Sequence, residues 1–145
     1  MATKATKHFH IEELMPKNWA GQPLYKCFRF FDKRILDTAD MMRERYGTAY
    51  INNWNWGGKN QFSGWRPFTC NTGAMWSQHK FGRALDIKFK DVTAEEVRED
   101  LRRHGRAQKT FRHITTVENS VSWVHIDCRM RKEQEGTYDI HFFNP

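Results

Sequence analysis

The chain has 145 residues, 39% hydrophobic and 14% aromatic, which suffices for one domain with its own core and is too rich in packing groups for a disordered segment. Its formal net charge of +7 points to a polyanionic partner, either nucleic acid or an anionic polymer such as bacterial cell wall. Three scattered cysteines, Cys27, Cys70 and Cys128, exclude a disulfide framework and a C-x-x-C thiolate site, and no stretch approaches the roughly 20 apolar residues of a membrane span.

In chain order, "HFHIEELMP" reads as an entry segment with one helical turn, closed by Pro16. The lysine-bearing start ahead of it has no apolar region of the kind a secretory signal carries, so neither secretion nor anchoring is expected. From Arg29 to Gly47, Phe31, Ile35, Met42 and Tyr46 recur at helical spacing and Gly47 stands at the C-cap, which predicts a core helix. "TAYINNWNWGG" alternates and predicts a strand ending in a Gly57-Gly58 turn; an irregular stretch, "QFSGWRPFTCNTGAMWSQH", follows.

"RALDIKF", residues 83–89, predicts a second strand with Ala84, Asp86 and Lys88 on one face and Leu85, Ile87 and Phe89 on the other. "DVTAEEVREDLRRHG" predicts a surface helix, N-capped by Thr93 and docked through Val97 and Leu101. "TFRHITTVENSVSWVHIDCRM" supplies two more strands, turning at Glu118-Asn119-Ser120. The order of elements predicts a single α+β domain over residues 1–145, a small antiparallel sheet flanked by helices.

Two segments carry polar groups that a packed strand does not need. His79 and Asp86 lie seven positions apart, and in "SWVHIDCR" the residues Trp123, His125 and Asp127 share one face. Imidazole and carboxylate together suit zinc, and a three-ligand set of His79, Asp86 and His125 would leave a position open, as catalytic sites do. Spacing alone equally fits hydrogen-bonded strand residues. Trp54, Trp56 and Trp65 fit either the walls of a substrate groove or buried core. His113 fits a polar strand residue, with a place beside the site as the other reading.

The fuller string is more specific. Ser77, His79, Gly82, Ala84 and Asp86 spell S-x-H-x-x-G-x-A-x-D, "SGWRP" precedes it and "WVHIDCR" follows it. Together these resemble the zinc D-Ala-D-Ala carboxypeptidases and L-alanyl-D-glutamate endopeptidases of bacteria and phages, which share their fold with the hedgehog signalling domain. The resemblance covers about residues 60 to 130. It implies a hedgehog-like fold, Zn2+ held by His79, Asp86 and His125, and hydrolysis of peptide bonds in peptidoglycan stem peptides. It further implies that Arg66 holds a substrate carboxylate or the polarised carbonyl, that Ser77 supports the site, and that Trp65 lies in the substrate-binding segment.

One position departs from the family pattern. Where many relatives carry the catalytic acid, three residues before the second histidine, this chain has Ser122, which cannot act as a base near neutral pH. Glu118 is the first substitute; Asp127 is the second, with orientation of a histidine as its other role. Three uses follow: a phage-type wall peptidase that reaches the wall from the cytoplasm by a separate route or on a virion, as a monomer or virion part; an inactive zinc-stabilised binding or virion module; and nucleic-acid binding through "REDLRRHGRAQK" and "CRMRK". The first is the expectation, without a specific nucleic-acid or membrane partner.

Overall fold

Leu85 and Ile87 turn to one side of a strand while Asp86 and Lys88 turn to the other, and this alternation decides which side of the sheet becomes core and which becomes site. The structure is a computed structural model that describes residues 3–19, 21–131 and 139–145; Lys132, the last residue of the basic "CRMRK" run, lies outside the described residues.

Among the described residues five strands form one sheet: β1 (Ala49–Tyr50), β2 (Ala84–Phe89), β3 (Thr116–Glu118), β4 (Val124–Asp127) and β5 (His141–Phe143), in the order β1-β2-β4-β3-β5. The helices are α1 (Ile11–Leu14), α2 (Leu24–Phe28), α3 (Lys33–Tyr46) and α4 (Ala94–His104). The α+β expectation holds, with one correction to the sheet. It is mixed, because β5 runs parallel to β3, with Thr116 opposite His141. A parallel neighbour needs a long crossover connection, and no local pattern in the sequence announces one.

The core gathers Leu85 and Ile87 of β2, Val124 and Ile126 of β4, Ile35, Leu36, Ala39 and Met42 of α3, and Val97 and Leu101 of α4. Asp32 caps α3 by accepting from the Arg34 amide at 3.0 Å, so Phe31 packs on the core from just before the helix. In α4 Thr93 is the N-cap as expected, and the Thr93 and Glu96 side chains each accept from the other's amide in a reciprocal box.

β1 is shorter than expected. Its alternation stops after Tyr50 because the Asn52 and Asn53 side chains accept from the Ser63 and Asn60 amides, both at 2.9 Å, and so organise a loop in place of a ladder. Trp54 and Trp56 fall in a 3-10 turn. His113 likewise precedes its predicted strand, in a turn after the 3-10 helix Lys109–Phe111.

Asp100 ties α4 to α3 by accepting from Arg45 Nε at 2.7 Å, Arg45 Nη2 at 3.1 Å and Tyr46 Oη at 2.5 Å. The Arg45 bond outweighs the opposing effect of burial and holds the Asp100 carboxyl down at about 2. A depressed folded-state value contributes stability above the unfolded value and loses it as pH falls through the folded one. Asp100→Asn is therefore expected to lower the unfolding free energy by about 2 kcal/mol at neutral pH. In urea titrations from pH 7 downwards, the gap should close as pH approaches 2.

Candidate metal centre

β2 and β4 pair antiparallel in a register that sets Asp86 opposite His125 and Leu85 opposite Ile126. Directly opposed residues on one face have neighbouring side chains, so this register alone brings a carboxylate to an imidazole across two strands. His125 Nδ1 lies 2.8 Å from Asp86 Oδ1.

His79 reaches the same point from a separate element. Ser77 caps the 3-10 helix Gln78–Phe81 by accepting from the His79 amide, and Gly82 ends that helix in a left-handed conformation at φ 67°. A Cβ at Gly82 would stand 1.6 Å from the Phe30 carbonyl oxygen, so the chain turns into β2 here only because the residue is glycine. His79 Nε2 then lies 3.3 Å from Asp86 Oδ1.

The segment "SGWRP" is locked beside both candidate ligands by backbone bonds: the Asp86 amide donates to the Ser63 carbonyl at 2.8 Å and the Arg66 amide to the His79 carbonyl at 3.2 Å. Gly64 fits under Leu14, whose carbonyl oxygen would lie 2.1 Å from a Cβ there, and its own carbonyl faces the His79 ring.

Two partners fix the tautomers. His79 Nδ1 lies 2.8 Å from the Gly64 carbonyl, which can only accept, so Nδ1 carries the hydrogen and Nε2 is left with its lone pair toward Asp86. His125 Nε2 lies 3.1 Å from Asp127 Oδ2 and donates to it, which leaves Nδ1 for Asp86. One ligand atom each from His79, Asp86 and His125 lies within 4.8 Å of the others. Two imidazole nitrogens and a carboxylate oxygen, with each ring oriented from behind by an acceptor, fit zinc with an open position.

The electrostatics agree with that use. Burial keeps His79 neutral, below its ordinary value. Burial also opposes charge on His125, but its hydrogen bonds to Asp127 and Asp86 prevail and raise it to about 9. A metal ion at His125 would thus compete with a proton and bind more weakly as pH falls. Asp86 stays ionised well below the usual carboxylate range, because its two histidines outweigh its burial.

Arg66 is buried and fully oriented: Nε donates to the Phe62 carbonyl at 2.6 Å, Nη1 to the Thr72 carbonyl at 3.3 Å and Nη2 to Asp86 Oδ2 at 3.1 Å. The three candidate ligands form the floor of a cleft of about 440 Å³ whose walls include Arg66, Ser77, Glu118, Trp123, Arg129 and Phe143. Glu118 enters it from the end of β3, close enough that its charge supports that of Arg66.

The other expected site residues are distributed differently. Asp127 is fully buried, and Arg129 clamps it through Nε at 2.8 Å and Nη2 at 2.5 Å while His125 Nε2 donates a further bond to it. Trp65 is only 5% exposed and lies outside the cleft, stacked on Phe30 at 4.5 Å and edge-on to Trp19. Ser122 borders a different groove, because Arg98 holds its loop by donating to the Val121 and Trp123 carbonyls at 2.9 and 3.1 Å. Sequence reasoning did not single out Arg129 or Phe143. Arg129 follows Asp127 by two residues in a basic run, and Phe143 sits on the unanticipated β5.

No curated protein and no solved structure matches the chain. The profile of the family described as Peptidase M15 matches residues 7–127, a span that holds all three candidate ligands and ends on Asp127. The chain belongs to the Peptidase M15 family, the zinc D-Ala-D-Ala carboxypeptidase-like metallopeptidases.

Proposed function

We propose that this protein hydrolyses peptide bonds in the stem peptides of peptidoglycan, as a wall-lysing or wall-remodelling zinc peptidase of phage type. The observation that carries this reading is the convergence of His79, Asp86 and His125 on the floor of an open cleft that also holds Arg66 and Glu118. A structural zinc site is closed by four protein ligands, whereas three ligands facing a cleft suit a catalytic one.

His79, Asp86 and His125 would hold the metal. When bound, zinc supplies Lewis acidity that polarises the scissile carbonyl and lowers the pKa of an attacking water to about 7. Glu118 takes that proton and returns it to the leaving amine. Arg66 keeps Asp86 aimed through Nη2, and the N–H groups it has left over are donors for the substrate carbonyl as charge develops on its oxygen. Asp127 has both oxygens occupied, so its part is to hold the His125 ring in the orientation and tautomer that present Nδ1. Ser77 positions His79 by capping its helical turn.

The net charge of +7 draws the protein to an anionic wall polymer, and it works there after release by a separate route or on a virion. No described helix is long and apolar enough to cross a membrane. A synthetic stem peptide incubated with the zinc-loaded protein should gain free amine, stop doing so on chelation and resume when zinc is restored. Zinc-loaded protein that releases no amine would refute the reading.

A further inference from the structure

The cleft continues beyond its metal-ligand floor. Arg66, Thr72, Asp86 and Trp123 wall the cleft and also wall a second cavity of about 280 Å³, so the second adjoins the first as a side arm. The arm adds Lys59, Lys88, Asn60 and Gln61.

Strand geometry places Lys88 on the same face as Asp86, two residues further along β2 and so about 7 Å away. Lys59 enters from the loop after the 3-10 turn, and both lysines are exposed. Among the described residues neither ammonium group has a hydrogen bond or an ion pair, in contrast to Lys7, Lys33 and Arg45, which sit on carboxylates. Among the described residues the one carboxylate in the arm, Asp86, is already engaged by Arg66 and both imidazoles. The arm therefore holds two uncompensated positive charges beside amide side chains, within reach of the reacting bond. Lys88 also borders the groove of Ser122 on its other side.

We infer that this arm is the subsite for a free carboxylate on the peptide being cleaved. An extended chain advances about 3.4 Å per residue, which puts that carboxylate about two residues from the scissile bond. Selection of acidic peptides would then come from Lys59 and Lys88, outside the residues that perform the chemistry. The inference rests on the peptidase reading of the adjoining cleft.

The test uses two stem peptides that differ only in whether that carboxyl is free or an amide. The wild-type protein should favour the acid by roughly five- to tenfold in kcat/KM, as two solvent-exposed ion pairs allow. The preference should act through KM and shrink as salt is raised. In Lys59→Met/Lys88→Met the ratio should fall toward one. Tryptophan fluorescence of the metal-free protein, titrated with the same peptides, should show the same preference and the same loss. A folded double variant that keeps the wild-type ratio, or a wild-type ratio of one in both assays, would overturn the inference. Tighter binding of the acid by a zinc-loaded protein that cleaves neither peptide would support the arm and count against the peptidase reading instead.

Discussion

Glu118→Gln is expected to lower kcat by about 10²- to 10⁴-fold, the usual worth of a positioned general base, while zinc stays at one ion per chain. Among the described residues Glu118 is the carboxylate that lines the cleft without belonging to the candidate ligand set: Asp86 is held by Arg66 and two histidines, and Asp127 is buried under Arg129. Glutamine keeps the size and polarity of the side chain but cannot take a proton. Asp127→Asn should behave differently. Loss of the acceptor behind His125 weakens metal binding by about 10- to 100-fold, and excess zinc should restore much of the activity. Steady-state kinetics with zinc content measured on the same samples separates the two residues. Full turnover in Glu118→Gln, with loss in Asp127→Asn that zinc does not rescue, would exchange their roles.

His125→Ala should abolish zinc binding and hydrolysis together. In the proposed site the ring is one of three ligands, and the remaining two, His79 and Asp86, would leave a site too weak to hold the ion at working concentrations. The substitution also leaves Asp127 buried with Arg129 as its charged partner and frees one oxygen of Asp86 from a 2.8 Å contact, so some stability is lost as well. Metal analysis after gel filtration, with near-ultraviolet circular dichroism to establish that the variant is folded, reads the outcome. Stoichiometric zinc in a folded His125→Ala protein would remove His125 from the ligand set.

Much of the site was legible because strand alternation carries it. His125 and Asp86 stand on the polar faces of strands whose other faces are Val124, Ile126, Leu85 and Ile87, and the register joins the two faces. Gly82 was legible too, since a tight turn between a ligand and a strand selects glycine. What the local pattern could not carry was anything set by distant packing. Trp65 looks like a groove wall when read with Arg66, but Trp19 and Phe30, more than 30 residues upstream, enclose it. β5 was invisible because its three residues make a strand only through a parallel pairing with β3. The "TAYINNWNWGG" run alternates, but asparagine side chains bond the neighbouring loop in place of the next ladder rung. Which residue replaces the acid at Ser122 is visible only in the fold: Arg98 holds that loop beside another groove, while Glu118 on β3 reaches the cleft.

The most direct test of a zinc peptidase centred on His79, Asp86 and His125 is mass spectrometry of purified peptidoglycan fragments incubated with the protein, with chelator, and with chelator followed by zinc. The predicted result is a defined pair of fragments whose masses sum to that of the parent plus one water, absent under chelation and restored by zinc. Fragments left intact by protein shown to carry one zinc ion per chain, or cleavage that persists through chelation, would contradict it.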